Sequence, residues 1–270
     1  MLKFMYITND PKVAKIAENS GVDRIFIDME YIGKAERQGG MDTVQNHHTV
    51  HDVVNVREAI SKADLLVRVN PVYDGLEEEI NSVIDAGADI IMLPMWKSAK
   101  DVSTFLSFVN GRVKTILLLE NESAMNSVDE VIKNGGFDEM YIGLNDLHLS
   151  LKRKFLFELL ADGTVDSIVP KLKVAGIPFG IGGLGRLQNG TLPADYILGD
   201  YVRLGASTAI LSRAFCNTNL VTDYDEINTV FSKGIKDLRE YEAYLSKCDE
   251  KFFAENHIKL QQKVSEIVRD

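Results

Sequence analysis

The chain has 270 residues, 45% of them hydrophobic, which is enough for a large α/β domain with a sizeable core. Thirty Lys and Arg against 40 Asp and Glu leave a formal net charge of −10, which argues against a nucleic-acid or anionic-membrane partner. No apolar run approaches the ~18 residues that span a bilayer, no signal-peptide core follows Met1, and Cys216 and Cys248 have no metal or redox spacing, so the expectation is a cytoplasmic protein with free thiols.

Strand-like and helix-like stretches alternate along the chain. Residues 2–7 read as a first strand, and Asn9, Asp10 and Pro11 then form a helix start, with a capping side chain followed by proline in the first turn. That helix ends at Gly21. Further strand-like runs follow at 24–28, 65–69, 90–93, 115–119, 140–142 and 177–181, and either 202–204 or 208–211 supplies the last. Most are unbroken apolar runs, as in parallel strands covered on both faces. Helices are expected near 49–62, 75–86, 98–109, 123–133, 147–160 and 164–175. Eight strands with helices between them predict an α/β fold, a (β/α)8 TIM barrel over residues 1–222. An open doubly wound sheet is the competing architecture, but no Gly-rich dinucleotide signature follows the first strand.

Residues 223–270 fall outside the alternation. Ile227, Val230, Phe231, Leu238, Tyr241 and Leu245 recur at helical spacing, and Phe252, Phe253, Leu260, Val264, Ile267 and Val268 do so again. They predict extra C-terminal helices, packed either on the chain's own barrel or on a neighbouring subunit.

In a (β/α)8 barrel the chemistry sits where the strands end. Two runs stop at a carboxylate, ILLLE at Glu120 and YIGLND at Asp146, 26 positions or about one βα unit apart. Acids at the same end of neighbouring strands repel unless neutralised, and a divalent cation does that. Oxygen ligation by two carboxylates leaves positions for water and substrate, which suits Mg2+ or Mn2+ better than a closed zinc site. Arg68 interrupts the apolar run 65–69. A buried guanidinium needs a partner, so it either pairs with Asp28 or Glu30 after the second strand or faces a carboxylate or developing oxyanion. The long polar loop after that strand carries Lys34 and Arg37, which suit an anionic substrate group. It also carries His47, His48 and His51, among which a general base is sought. Residues 180–186 (GIGGLGR) read as a loop able to cradle a phosphate.

Asp28 with Glu30, Arg68, the DAGAD run from Asp85 leading to Leu93, Pro94 and Met95, Glu120, and GLNDL from Gly143 carry a resemblance. The chain is similar to the HpcH/HpaI aldolase and citrate lyase β-subunit family, in the pyruvate/phosphoenolpyruvate barrel superfamily, over roughly residues 3–215. The resemblance implies that Glu120 and Asp146 hold the metal, that the backbone at Asn145 and Asp146 beside Gly143 receives a carboxylate, and that Arg68 faces the enolate oxygen. It also implies that Asp85 tunes the catalytic histidine, often across a subunit boundary, in a homo-oligomer (a hexamer or trimer of dimers) with exchanged C-terminal helices. Two positions depart from the family pattern: Tyr31 stands where the aldolases place histidine after Asp-x-Glu, and Leu118 where they place glutamine. His48 is therefore the first choice as base and His47 the second, with a metal-bound water or Tyr31 as the remaining alternatives.

The implied activity is that of a metal-dependent class II aldolase. Such a carbon–carbon lyase cleaves or forms 4-hydroxy-2-oxo acids through a pyruvate enolate, with a small 2-oxo acid and an aldehyde as partners. An acyl-CoA lyase of citryl- or malyl-CoA type and a non-catalytic metal- or ligand-binding barrel are the alternatives.

Overall fold

Eight parallel strands close into a barrel in sequence order, each paired with its chain neighbours and β8 with β1. The computed structural model describes residues 1–34, 48–188 and 190–269. β1 (Lys3–Ile7), β2 (Arg24–Asp28), β3 (Asp64–Arg68) and β4 (Ile90–Leu93) form the first half. β5 (Lys114–Leu119), β6 (Glu139–Ile142), β7 (Phe179–Leu184) and β8 (Thr208–Leu211) form the second. The fold is the (β/α)8 TIM barrel expected from the alternation, followed by C-terminal helices.

The wall begins with α1 (Pro11–Asn19), α2 (Val50–Ala59), α3 (Leu76–Asp85), α4 (Ala99–Val109) and α5 (Glu122–Asn134). Capping is local and legible. The Asp10 carboxylate accepts from the Lys12 and Val13 amides ahead of Pro11, and Ser98 and Asn121 cap α4 and α5 in the same way. After β6 the single expected helix at 147–160 divides into α6 (Leu144–Ser150) and α7 (Glu158–Ala161), with Lys152 between them at φ +56°. A left-handed residue ends a helical ladder. α8 (Thr164–Val174) and α9 (Ala194–Leu204) complete the middle of the wall, and the second candidate for the last strand, 202–204, lies inside α9.

Inward-facing residues form a closed stack. Met5, Phe26, Leu66, Met92, Ile116, Leu118 and Tyr141 fill the barrel, while the alternate residues Ile25, Val67, Leu93 and Leu119 pack outward under the helices. Below the stack Arg24 is paired with Glu139 by two bonds of 3.1 and 2.8 Å, and the Thr208 hydroxyl donates to the same carboxylate at 2.6 Å. Gly180 is obligatory in this interior, because a Cβ there would lie 2.1 Å from Thr208 Oγ1 and 2.3 Å from the Tyr141 ring. Counting on by two from Phe26, Leu66 and Leu118 reaches Asp28, Arg68 and Glu120. Strand period alone thus turns these three towards the mouth.

α10 (Tyr224–Leu245) packs on α1 and α9, in the gap between the last and first wall helices. α11 (Glu250–Arg269) continues over α9 and α7, tied by Asn256 Nδ2 donating to the Tyr196 carbonyl at 3.0 Å and by His257 Nδ1 2.9 Å from Asp200 Oδ1. Both helices thus rest on this chain's own wall. No described helix is long and apolar enough to cross a membrane.

Candidate functional site

The C-terminal ends of the strands open into a cavity of about 630 Å3. Asp28, Lys34, His48, Arg68, Glu120, Gly143, Asn145 and Asp146 line it, so eight of the sequence-predicted positions meet in one space. Arg37 and His47 lie outside the described residues. Asp85 does not join them within this chain. It is exposed at the C-terminal end of α3, which runs back from the mouth towards the start of β4. The glycine-rich run 180–186 is not the loop expected of a phosphate cradle. Residues 179–184 are strand β7, Gly180 is interior, and only Gly182, Gly183 and Gly185 of its glycines reach the cavity wall.

Arg68 takes both of its expected partners. Its Nε and Nη2 donate to the two Asp28 oxygens at 2.8 Å each, and its Nη1 lies 3.3 Å from Glu30 Oε2. Lys34, expected to meet a substrate anion, is itself buried, with its Nζ 2.6 Å from Asp28 Oδ2. Burial alone would raise the Asp28 pKa, but the Arg68 and Lys34 charges outweigh it and hold the carboxyl well below the usual range. Arg68 also lies over the Phe26 ring, with its guanidinium carbon 5.6 Å from the ring centroid.

His48 Nδ1 accepts the Asp28 backbone N–H at 3.0 Å. The histidine caps the edge of β2 where β1 has already ended. Burial pushes its pKa down, outweighing the attraction of Asp28 and Asp52, which favours the neutral ring. With Nδ1 accepting, the ring proton stands on Nε2.

Glu120 is buried, and its Oε1 accepts the Met95 N–H at 3.0 Å. Burial, and then the charges of Glu30 and Asp146, push its pKa well above the ordinary carboxylate value, and Arg68 offsets this only in part. Asp146 lies in the first turn of α6, whose N-cap Gly143 makes no side-chain cap. A Cβ at Gly143 would stand 3.0 Å from both Glu120 Cβ and Leu118 Cδ1, so glycine is what lets this turn approach the buried glutamate. Among the described residues no group of three or more His, Cys, Asp or Glu is disposed to hold an ion. Glu120 and Asp146 both line the cavity.

A model of the HpcH/HpaI aldolase/citrate lyase family matches residues 3–158, more than half of the chain. The chain belongs to that family. Curated relatives include the 2-keto-3-deoxy-L-rhamnonate aldolases of Escherichia coli (strain K12) and Shigella sonnei (strain Ss046), each 22% identical over 169 residues, 52% of this chain and 58% of the relative. The chain therefore spans less than two thirds of those relatives' length. Two solved structures share the fold. The HpcH/HpaI aldolase from Desulfitobacterium hafniense DCB-2 has a TM-score of 0.61 at 14% identity, covering 84% of this chain and 92% of that one. An HpcH/HpaI aldolase/citrate lyase family protein from Burkholderia cenocepacia J2315 has a TM-score of 0.64 at 16% identity, covering 84% and 94%.

The two positions that depart from the expected pattern lie differently around the mouth. Tyr31 is 62% exposed and does not line the cavity, whereas Leu118 is buried and lines it. The turn that carries Tyr31 is fixed by Asn70, whose Oδ1 accepts the Tyr31 and Ile32 amides at 3.0 Å each and whose Nδ2 donates to Glu79. Sequence reasoning missed this role of Asn70, and it missed the Met95 amide, whose only signal was the position after Pro94. Met95 has φ +51°, an uncommon conformation for a residue with a side chain, and it aims that amide at Glu120.

Proposed function

We propose that the chain is a divalent-metal-dependent class II aldolase that forms or cleaves 4-hydroxy-2-oxo acids through a pyruvate-type enolate. One arrangement carries this reading: two carboxylates, the buried Glu120 and the half-buried Asp146, share a cavity with a guanidinium, Arg68, at the strand ends of a barrel of this family.

Glu120 and Asp146 would hold the ion. Their oxygen donors fit Mg2+ or Mn2+, and a cation would relieve the repulsion that disfavours the charged form of Glu120. When bound, such an ion withdraws electrons from the 2-oxo group and supplies positive charge beside it. Arg68, kept charged by Asp28 and Glu30, supplies N–H donors towards the enolate oxygen. Asp28 holds the guanidinium fork in place. The backbone amides of Asn145 and Asp146, in the uncapped first turn of α6, receive the substrate carboxylate. His48 offers Nε2–H to an oxygen in the cavity.

The reading is tested by incubating the protein with Mn2+ and pyruvate in D2O and following the methyl protons by NMR. The expected result is metal-dependent exchange, abolished by a chelator and restored by Mn2+. Calorimetric binding of Mn2+ and pyruvate without exchange would favour the non-catalytic barrel. Turnover of malyl-CoA without aldehyde chemistry would favour the acyl-CoA lyase.

We also infer a homo-oligomer, a hexamer or trimer of dimers, in which Asp85 acts on a neighbour's site. Exposed apolar side chains on α10 and α11, Tyr244 and Ile258 among them, support an assembled state. Light scattering at micromolar concentration tests it, and a monomer would reject it.

A further inference from the structure

This barrel lacks the family's histidine after Asp-x-Glu, and Tyr31, which replaces it, points away from the cavity. Aldol chemistry still needs a group that gives and takes a proton. The ionisable side chains among the described cavity residues are Tyr6, Asp28, Lys34, His48, Arg68, Glu120, Tyr141, Asp146, Arg213 and Cys216.

Most of these are already committed. Tyr141 Oη donates to the Ile181 carbonyl at 2.6 Å and accepts from the Ile210 N–H at 2.8 Å. Tyr6 Oη donates to the Cys216 carbonyl at 3.1 Å, and the Cys216 thiol is buried. Arg68 and Arg213 do not release protons in proteins. Asp28 is held between Arg68 and Lys34. Glu120 and Asp146 are the acidic pair assigned to the ion.

His48 is excluded by geometry. A backbone N–H can only donate, so Nδ1 of His48 must be an acceptor without a proton of its own. The neutral ring then carries hydrogen on Nε2 and has no free lone pair for the cavity. Protonating Nδ1 would set two donors against each other, and losing the Nε2 proton would leave an imidazolate. His48 is therefore a hydrogen-bond donor and not a proton shuttle.

Among the described residues, Lys34 is the group left. Its side chain is buried, it lines the cavity, and it is anchored through one 2.6 Å contact to a carboxylate shared with Arg68. Its partner Asp28 also carries Arg68 on its side chain and His48 on its backbone N–H, so Lys34 belongs to one cluster with both.

We propose that Lys34 is the proton-carrying catalytic residue, a role that rests on the aldolase reading above. In addition, the enolate electron pair forms the new carbon–carbon bond, and the aldehyde C=O pair moves onto oxygen. That oxygen takes a proton from the Lys34 ammonium. The amine left behind is recharged from solvent water, which also receives the proton released from the methyl group when the enolate forms, so protons balance over one cycle. Cleavage runs the same transfers in reverse.

The test uses the full chain with Mn2+ and compares Lys34→Arg and Lys34→Ala with wild type. Lys34→Arg keeps a cation beside Asp28 but removes a transferable proton. It should lose cleavage turnover by about 10²–10⁴-fold, while pyruvate binding by calorimetry changes by less than about threefold. Lys34→Ala should regain part of its turnover with added methylamine or ethylamine, a rescue that a merely structural lysine would not show. Lys34→Arg turnover within about threefold of wild type, or Lys34→Ala turnover that stays flat with both amines, would overturn the assignment. A wild-type protein with neither methyl exchange nor cleavage would instead remove the aldolase reading on which the assignment stands.

Discussion

Asp28 and Arg68 are register partners across β2 and β3, and their side chains meet in a two-pronged ion pair with both bonds at 2.8 Å. The pair is inward-facing by strand period and 1% exposed at Asp28. Its two roles cannot be separated by deleting either residue. Arg68→Ala strands a buried carboxylate, and breaking such a pair costs about 3–5 kcal/mol. Lys34 limits that loss because it stays bonded to Asp28. The same change should lower kcat/KM by about 10²–10³-fold through loss of the donor facing the enolate. Arg68→Lys is the cleaner probe. It keeps the charge and loses the fork, so stability by urea denaturation should fall less than for Arg68→Ala while turnover stays low. Equal turnover in Arg68→Lys and wild type would reject an enolate-facing role.

Glu120 makes a pH prediction of definite sign. Its folded-state pKa is raised by burial, Glu30 and Asp146. Above the unfolded value of about 4.3, the unfolded chain ionises this carboxyl freely and the metal-free folded chain does so less readily. Glu120 therefore costs stability as pH rises, by up to about 1.4 kcal/mol per pH unit. Glu120→Gln removes that cost. In metal-free protein the variant should gain in Tm over wild type between about pH 4.5 and 7, and the gap should close at lower pH. Mn2+ should raise the wild-type Tm at pH 7 and leave that of the variant nearly unchanged. A Tm difference independent of pH would contradict the placement of Glu120.

The barrel is legible in the chain because its strands are covered on both faces and so appear as unbroken apolar runs ending in polar residues. β2 and β4 fall at 24–28 and 90–93 as read. β7 was harder. Residues 177–181 carry the apolar signal, but Pro178 donates no amide to the ladder, and the strand instead runs through the glycines to Leu184. Glycine there serves close packing on Tyr141 and not a turn. Asp28, Arg68, Glu120 and Asp146 stood out because charge at the end of an apolar run demands a partner. Lys34 read as a loop lysine for a substrate anion, since nothing in the sequence shows its reach back to Asp28. The Met95 amide leaves no side-chain signal at all.

Glu18 tests the wall away from the mouth. Its carboxylate accepts the Ser61 amide at 2.6 Å and the Ala63 amide at 3.0 Å, bonds that of Lys62 as well, and pairs with Lys15 at 2.7 Å. These bonds outweigh burial and lower its pKa to about 2. The contribution is full above the unfolded value of about 4.3 and fades as pH falls towards 2. Glu18→Gln should cost about 2–3 kcal/mol at pH 7 in urea denaturation, and much less at pH 3. Aldol turnover at neutral pH, well below the melting temperature, should be unaffected. A cost of the same size at both pH values would show that shape, and not charge, holds the 61–63 turn.

Gly143 separates the geometry of the carboxylate pair from its chemistry. Gly143→Ala adds no charge and removes no donor, yet its methyl would lie 3.0 Å from Glu120 Cβ and Leu118 Cδ1. Neither neighbour can yield freely. Leu118 is packed in the inner stack, and the Glu120 backbone continues β5. The expected result is a fold that melts earlier by about 1–3 kcal/mol and a Mn2+ affinity weakened about 10–100-fold. Leu118→Ala should restore part of that affinity in the Gly143→Ala background, because it removes one of the two atoms in conflict. Calorimetry on the single and double variants measures the coupling directly. Mn2+ binding as tight in Gly143→Ala as in wild type would mean that the ion does not depend on the position of Glu120.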